Sequence, residues 1–385
     1  MLVSFDFIMN AISLARKVVR GFPYLIKEGR ACVSNHTPFF IAKPRVVHLW
    51  RSAPCNGSCI MCDFGFRKGE EWKALFQSPL TDEMIPKLLV QIHELGGSGT
   101  LVSYMGGEPL LSHRLMDWLD QANRLGLDFR FTTNGYNVNQ EIARRLVAAN
   151  LFNIGVSLES LDAAINEIIR PIPQGTQKTI QAIELLLEEK RRVQGRLSIN
   201  IKTTLTNVNL ESIIEIVKRW GKVDGVVVTP QVFEAINGMP NEIREKLWIK
   251  DVSRIETVVR ELKQLRAQGY NLNADDRALD DFVNLYRGDS GHKSTMHERK
   301  VARGNKPACY VGTENLYISQ GNVQLCPSFP VLGSVLGNGP SLKEIWHSDR
   351  AMKMRADMKK CRILCTLSCT RQLPFFLKVK TFLKM

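Results

Sequence analysis

Several features are missing from this 385-residue chain, and each absence removes a class of protein. Neither apolar end approaches the roughly 20 consecutive apolar residues that a helix needs to cross a bilayer. There is no internal repeat and no low-complexity tract, which excludes solenoids, arrays and composition-driven disorder. A standard secretory signal is absent, because Arg16, Lys17 and Arg20 follow the first apolar stretch instead of preceding it. Acidic residues are scarce at both ends: two in residues 1–50 and one in residues 351–385, against seven and nine basic residues. No nucleic-acid reader motif accompanies that basic charge, so nucleic acid ranks low among partners.

The net charge of +14 is therefore concentrated at the termini, and both termini are also apolar. Leu2, Val3, Phe5, Ile8, Met9, Ile12, Ala15 and Val19 trace a helical stripe, and the tail Pro374 to Lys384 mixes Phe and Leu with Lys. Basic amphipathic ends of this kind suit peripheral contact with an anionic membrane surface. A buried helix or a docked tail is the competing reading. With no export signal, the expected compartment is the cytoplasm.

Between the ends, short β-rich runs alternate with amphipathic helical stretches. Strands are expected at Val46–Trp50, Thr100–Met105, Asp128–Thr133, Asn153–Leu158, Ile199–Thr204 and Gly225–Thr229. Ile85, Leu88, Leu89, Ile92 and Leu95 recur at helical spacing and stop at Gly96-Gly97; Trp118, Leu119, Ala122 and Leu125 stop at Gly126. Six β-then-α units predict an α/β fold with a parallel sheet covered by helices, its site at the carboxyl ends of the strands. One further helix is expected over residues 251–268, and the Gly-, Lys- and Arg-rich stretch Arg287–Pro307 reads as a linker or loop. The expected division is 1–44 basic amphipathic segment, 45–235 core, 236–307 helical connection and linker, 308–372 small second domain, and 373–385 basic apolar tail.

Cys55, Cys59 and Cys62 follow the first strand at x3 and x2 spacing. Three thiolates are one short of the four that close a cubane iron–sulfur cluster, which leaves one iron open to a small molecule. A structural zinc site is the competing reading, but zinc sites usually pair cysteines in two sets, and no other His or Cys lies near enough to complete this one. At the end of the second strand stands Gly106-Gly107-Glu108-Pro109, in which the glycines permit close backbone approach to a ligand and the carboxylate suits an ammonium. Thr133-Asn134 ends the third strand, Ser157-Leu158-Glu159 the fourth, and Arg170 follows in the next helix.

This constellation resembles the radical S-adenosylmethionine enzymes, a superfamily built on a partial (β/α)6 barrel. The resemblance implies a [4Fe–4S] cluster on Cys55, Cys59 and Cys62, with Met61 where the family usually has an aromatic residue. The open iron would chelate the methionine end of S-adenosylmethionine, and a 5′-deoxyadenosyl radical would take hydrogen from a substrate. Gly106, Gly107, Glu108 and Pro109 would receive the methionine ammonium. Thr133, Asn134, Ser157, Glu159 and Arg170 match positions that line the cofactor, with Glu159 standing where Asp is common.

Near the C-terminus, Cys309, Cys326, Cys361, Cys365 and Cys369 form a second group, and Leu316-Tyr317-Ile318 with Gly321 to Leu325 reads as a hairpin. The segment resembles the SPASM or shorter twitch extension, which implies auxiliary iron–sulfur binding. Five cysteines suffice for one auxiliary cluster; Cys309, Cys326 and Cys369 are the leading ligands, and Cys361 and Cys365 compete for the last place. Structural zinc is again the alternative, and Cys32 is left as a plain thiol.

The resemblance implies an enzyme acting on a small-molecule, lipid-linked or peptide substrate, supplied with electrons by a donor such as flavodoxin or ferredoxin. Peptide maturation, the familiar role of SPASM relatives, is the alternative within the class; only about 45 residues precede the first strand, too few for a leader-binding winged helix. The rival from another class is a non-catalytic metal or electron-transfer protein, which would not need the Gly106 to Glu108 cradle. No substrate-side acid, base or hydrogen donor is legible from sequence.

Overall fold

The computed structural model describes residues 41–287 and 311–361 apart from Ser52, Asn150 and Arg196, together with Ile363. Strand β1 (Val46–Trp50) is followed by two short helices, α1 (Asp63–Phe66) and α2 (Gly69–Ala74), and by α3 (Met84–Gly96). Then come β2 (Leu101–Met105), α4 (Leu115–Arg124), β3 (Asp128–Thr133), α5 (Gln140–Ala148) and β4 (Asn153–Ser157). Helices α6 (Ala163–Ile169) and α7 (Gly175–Val193) lead to β5 (Ser198–Leu205), α8 (Ser212–Trp220) and β6 (Val226–Val232). The helical connection holds α9 (Asn241–Leu247), α10 (Val252–Ala267) and α11 (Asp276–Tyr286). After α12 (Val311–Glu314) the chain forms β7 (Asn315–Ser319), β8 (Asn322–Gln324), β9 (Gly333–Ser334), α13 (Leu342–His347) and α14 (Asp349–Met358).

The first six strands pair in parallel, in consecutive order. Period-two alternation sets which side chains meet the helices. Phe129, Phe131, Ile199, Ile201 and Leu205 are buried on the helix side, while Arg130, Thr132, Ser198, Asn200, Lys202 and Thr204 fall on the opposite, inner face. Helices follow the 3.6-residue stripe: Ile255, Val258, Val259, Leu262 and Leu265 of α10 are buried, and the Asp251 carboxylate caps its start by accepting from the Ser253 amide.

The C-terminal hairpin extends the main sheet: β7 pairs in parallel with β1, with Val46 opposite Asn315 and Trp50 opposite Ser319. Among the described residues the sheet thus has nine strands in the order β6-β5-β4-β3-β2-β1-β7-β8-β9, with the last two pairings antiparallel. The physical reason is that β1 would otherwise leave a row of unpaired backbone groups. Leu316 and Ile318 are fully buried, so β7 contributes core as well as hydrogen bonds. Behind it, Trp346 of α13 is fully buried and its indole donates to the Ala42 carbonyl at 3.1 Å.

Candidate functional site

The loop after β1 carries Cys55, Cys59 and Cys62, and every neighbouring strand end reaches into it. The Arg51 amide donates to the Met105 carbonyl at 3.1 Å, and the Glu108 amide to the Pro54 carbonyl at 2.8 Å. Gly106 and Gly107 have φ of 111° and 56°, the left-handed region that glycine tolerates. A Cβ at Gly107 would lie 2.3 Å from the Ala53 carbonyl oxygen, so β2 can press on the cysteine loop only with glycine there. From β3, Asn134 Nδ2 donates to Asn56 Oδ1 at 2.7 Å. From α6, the Ile169 carbonyl accepts from the Ile60 amide at 3.0 Å, and Arg170 Nη1 donates to Cys59 Sγ at 3.4 Å.

Cys59 is buried and Cys55 and Cys62 are half-buried, and the three form no disulfide. Among the described residues, no three His, Cys, Asp or Glu side chains converge on a single-ion site. Burial pushes the Cys55 thiol up to about 12, against a downward pull from the Gly57 amide; neighbouring Cys59, Glu108 and Cys62 add to the rise. Burial also raises Cys62. Three soft donors on one loop, with no fourth and with Arg170 beside them, are a donor set that fits a cluster with one open iron. Cationic iron would supply the charge that favours their thiolate forms.

The two carboxylates at the rim are both buried and hydrogen-bonded. Glu108 is 3% exposed and its carboxylate binds across two strand ends. Thr133 Oγ1 donates to Oε1 at 2.6 Å, the Leu110 amide to Oε1 at 3.2 Å, and the Asn134 amide to Oε2 at 2.8 Å. Glu159 is fully buried with both oxygens engaged. Arg170 Nε donates to Oε1 at 2.8 Å, and the Thr204 amide to Oε2 at 2.6 Å. Burial raises both carboxyls, while Arg170 pulls Glu159 back down and the Asn134 amide does the same for Glu108. Thr133 and Asn134 serve the same tie. Ser157 ends β4 opposite Lys202, and Pro109 opens a short 3-10 turn behind Glu108.

The sequence reading missed the asparagines that hold this rim together. Asn166 Oδ1 accepts from the Glu159 amide at 2.9 Å, and Asn209 Nδ2 donates to the Glu159 carbonyl at 2.8 Å. Their signal was faint: single polar residues in otherwise apolar helical or turn contexts. The inner face below the rim was also missed, although its alternation in β5 was visible. There His48 stacks on Tyr317 with centroids 4.4 Å apart and meets Asn315 at 3.0 Å; Arg130 donates to Ser103 at 3.0 Å, and Lys202 to Thr132 at 2.8 Å.

Of the second cysteine group, Cys326 follows β8 and Cys361 follows α14, both half-buried. Cys309, Cys365 and Cys369 lie outside the described residues, as do Cys32, both basic ends and most of the expected linker. Among the described residues no helix is long and apolar enough to cross a membrane.

Comparison with known proteins agrees with this architecture. Residues 52–220 match the model of the radical SAM superfamily, and residues 309–370 that of SPASM, an iron-sulfur cluster-binding domain. The AdoMet-dependent heme synthase of Methanosarcina barkeri is 24% identical over 330 residues, 84% of this chain and 87% of that protein. An S-adenosylmethionine-dependent nucleotide dehydratase of Psychrobacter lutiphocae is 28% identical over 46% of this chain and 60% of its own length. In fold, SuiB of Streptococcus suis bound to S-adenosylmethionine superposes with a TM-score of 0.56 at 15% identity, covering 92% of this chain and 74% of that one. Residues 52–220 are thus a radical SAM domain and residues 309–370 a SPASM domain: the protein is an enzyme with a [4Fe–4S] cluster, S-adenosylmethionine as cofactor, and C-terminal auxiliary iron–sulfur binding.

Proposed function

We propose that Cys55, Cys59 and Cys62 hold the radical-generating cluster, and that the chain abstracts hydrogen from a substrate lodged in the barrel. One observation carries this reading: the cysteine loop is bonded directly to the ends of β2 and β3 and to the Arg170 turn, so that all the motifs share one rim. When bound, the cluster and S-adenosylmethionine together supply an electron, a breakable sulfonium and a hydrogen-abstracting adenosyl fragment.

The protein's own residues position and shield. Gly106 and Gly107 present backbone without side-chain bulk at the loop, and Ser157 offers a hydroxyl at the end of β4. Arg170 places positive charge beside Cys59, and it keeps guanidinium donors beyond the three engaged by Glu159 and Cys59 for a cofactor carboxylate. Glu108 and Glu159 are positioning residues; each fixes a donor or a turn and neither presents a vacant oxygen pair. Cys309, Cys326 and Cys369, with Cys361 or Cys365, would hold one auxiliary cluster in the segment 308–372. An electron donor such as flavodoxin or ferredoxin would reduce the system.

Relatives that share sequence include an AdoMet-dependent heme synthase, a nucleotide dehydratase and mycofactocin maturase MftC, so both small-molecule and maturase roles have precedent. A peptide-modifying maturase fits equally; SuiB is also known in a structure bound to precursor peptide SuiA. The test is anaerobic reconstitution, iron counting and assay of 5′-deoxyadenosine under reduction. Roughly eight irons per chain and adenosyl release are expected. In the Cys59→Ala protein, iron should fall by about half and release should stop. Full iron and release in that variant would remove Cys59 from the radical site.

A further inference from the structure

The inner face of the sheet contains a charge arrangement that holding the cofactor does not require. Lys202 points inward from β5 and crosses β4 to reach β3, where Nζ donates to Thr132 Oγ1 at 2.8 Å. The crossing is possible because the β4 residue beneath it is glycine. A Cβ at Gly155 would lie 3.0 Å from Lys202 Cε and 2.6 Å from Thr132 Oγ1. Glycine in a strand interior weakens the strand and is characteristic of places where another group passes close by. Here the group that passes is an ammonium.

Arg130 stands on β3 two residues before Thr132, held through Ser103 Oγ on β2 at 3.0 Å. His48 faces the same space from β1. Burial, with Arg130 and Lys202 acting in the same direction, lowers it to about 4, so it is neutral at physiological pH. Asp128 opens β3 two residues before Arg130, away from the rim. Lys202 is lowered to about 8 by burial and by Arg130, with no carboxylate acting on it among the described residues. A half-buried lysine that, among the described residues, is held by a hydroxyl and stands beside an arginine is an expensive way to satisfy one threonine. A neutral side chain would do so at lower cost.

We propose that Lys202 and Arg130, with Thr132 and Ser103 between them, form a subsite for an anionic group of the substrate, a carboxylate or a phosphate. Lys202 precedes Thr204 by two residues, and the Thr204 amide holds Glu159 at the rim. The subsite therefore lies about 7 Å down the strand from the cofactor rim, one inward-facing layer below it. An anion anchored there would leave the rest of the substrate directed up toward the hydrogen-abstracting end. This inference rests on the proposed function for its account of what the anion belongs to.

The test uses the full chain, reconstituted anaerobically, titrated with inorganic phosphate and separately with acetate in a calorimeter at pH 8. Two buffers of different ionisation heat report proton uptake. Saturable binding of at least one anion is expected, and the tighter one identifies the substrate group. Because Lys202 titrates at about 8, binding should draw up to about half a proton from the buffer. Lys202→Met should weaken binding at least about tenfold, while Lys202→Arg should bind without the proton uptake. If Lys202→Met does not fold, the uptake difference between wild type and Lys202→Arg decides the matter. Equal binding by wild type and Lys202→Met, unchanged uptake in Lys202→Arg, or no saturable binding of either anion would overturn the subsite. S-adenosylmethionine binding is measured in the same samples: retained cofactor binding with no anion response defeats the subsite alone, whereas absent cofactor binding in wild type defeats the proposed function.

Discussion

The rim and the interior of this barrel treat charge in opposite ways. At the rim, Glu108 and Glu159 are almost wholly buried, and each carboxylate is met by amide, hydroxyl or guanidinium donors. One layer below, the cation Lys202 is met, among the described residues, by a neutral hydroxyl. Saturated charges of the first kind are scaffolding, because a buried ion whose donors are all in place has little to offer a ligand. A charge held by a weak partner in a confined polar space is poised to accept a better one. The contrast separates groups that shape the site from groups that recognise what enters it.

Removing Glu159 should give the largest effect, because it breaks the scaffold side of that contrast. Glu159→Ala leaves Arg170 buried without its carboxylate, at an expected cost of about 3–5 kcal/mol in denaturant unfolding. S-adenosylmethionine affinity should fall with it. A loss below about 1 kcal/mol would show that the ion pair is not the anchor described here.

Lys202→Met should move stability the other way and so sharpens the contrast. Its ammonium is disfavoured in the folded state, where it titrates at about 8 instead of 10.5. A base whose value is lowered by folding destabilises the fold fully below about pH 8, and the penalty fades as pH rises through 10.5, above which both states are neutral. The ligand-free variant should therefore be more stable than wild type at pH 7, by on the order of 1–3 kcal/mol. The gain should vanish above about pH 10.5. Thermal melts across that range check it; a destabilised variant at pH 7 would mean that Lys202 is structural.

The smallest effect concerns His48, a neutral group in the same interior. Its value falls from 6.5 to about 4, so its contribution is complete above pH 6.5 and is lost as pH drops toward 4. Replacing it by Gln should flatten the acid limb of the stability curve by roughly 1 kcal/mol at pH 5.5. An unchanged slope between pH 6.5 and 4 would place His48 in contact with water.

Much of this was legible in the sequence. The short β-rich runs at Val46, Asp128 and Ile199 placed their strands to within a residue or two, and the cysteine spacing with Gly106-Gly107-Glu108 pointed to one rim. What escaped depends on register between distant strands. Nothing in Leu316-Tyr317-Ile318 says that its partner is β1, since an apolar run fits any open edge. Nor can Gly155 be linked to Lys202 until β3, β4 and β5 are aligned. Glu159 and Arg170 were both singled out, yet toward a ligand; their pairing with each other depends on how α6 turns back over the rim.

The seam between β1 and β7 also governs how the chain comes into being. His48 and Asn315 meet although they stand 267 positions apart in the chain. During synthesis, the six-stranded platform is therefore complete long before its outer edge finds a mate. For that interval β1 offers bare backbone to any extended segment nearby. The maturing polypeptide is most exposed to mispairing just before residue 319 clears the ribosome, and a cellular factor that shields this edge or hastens its closure would act within that window.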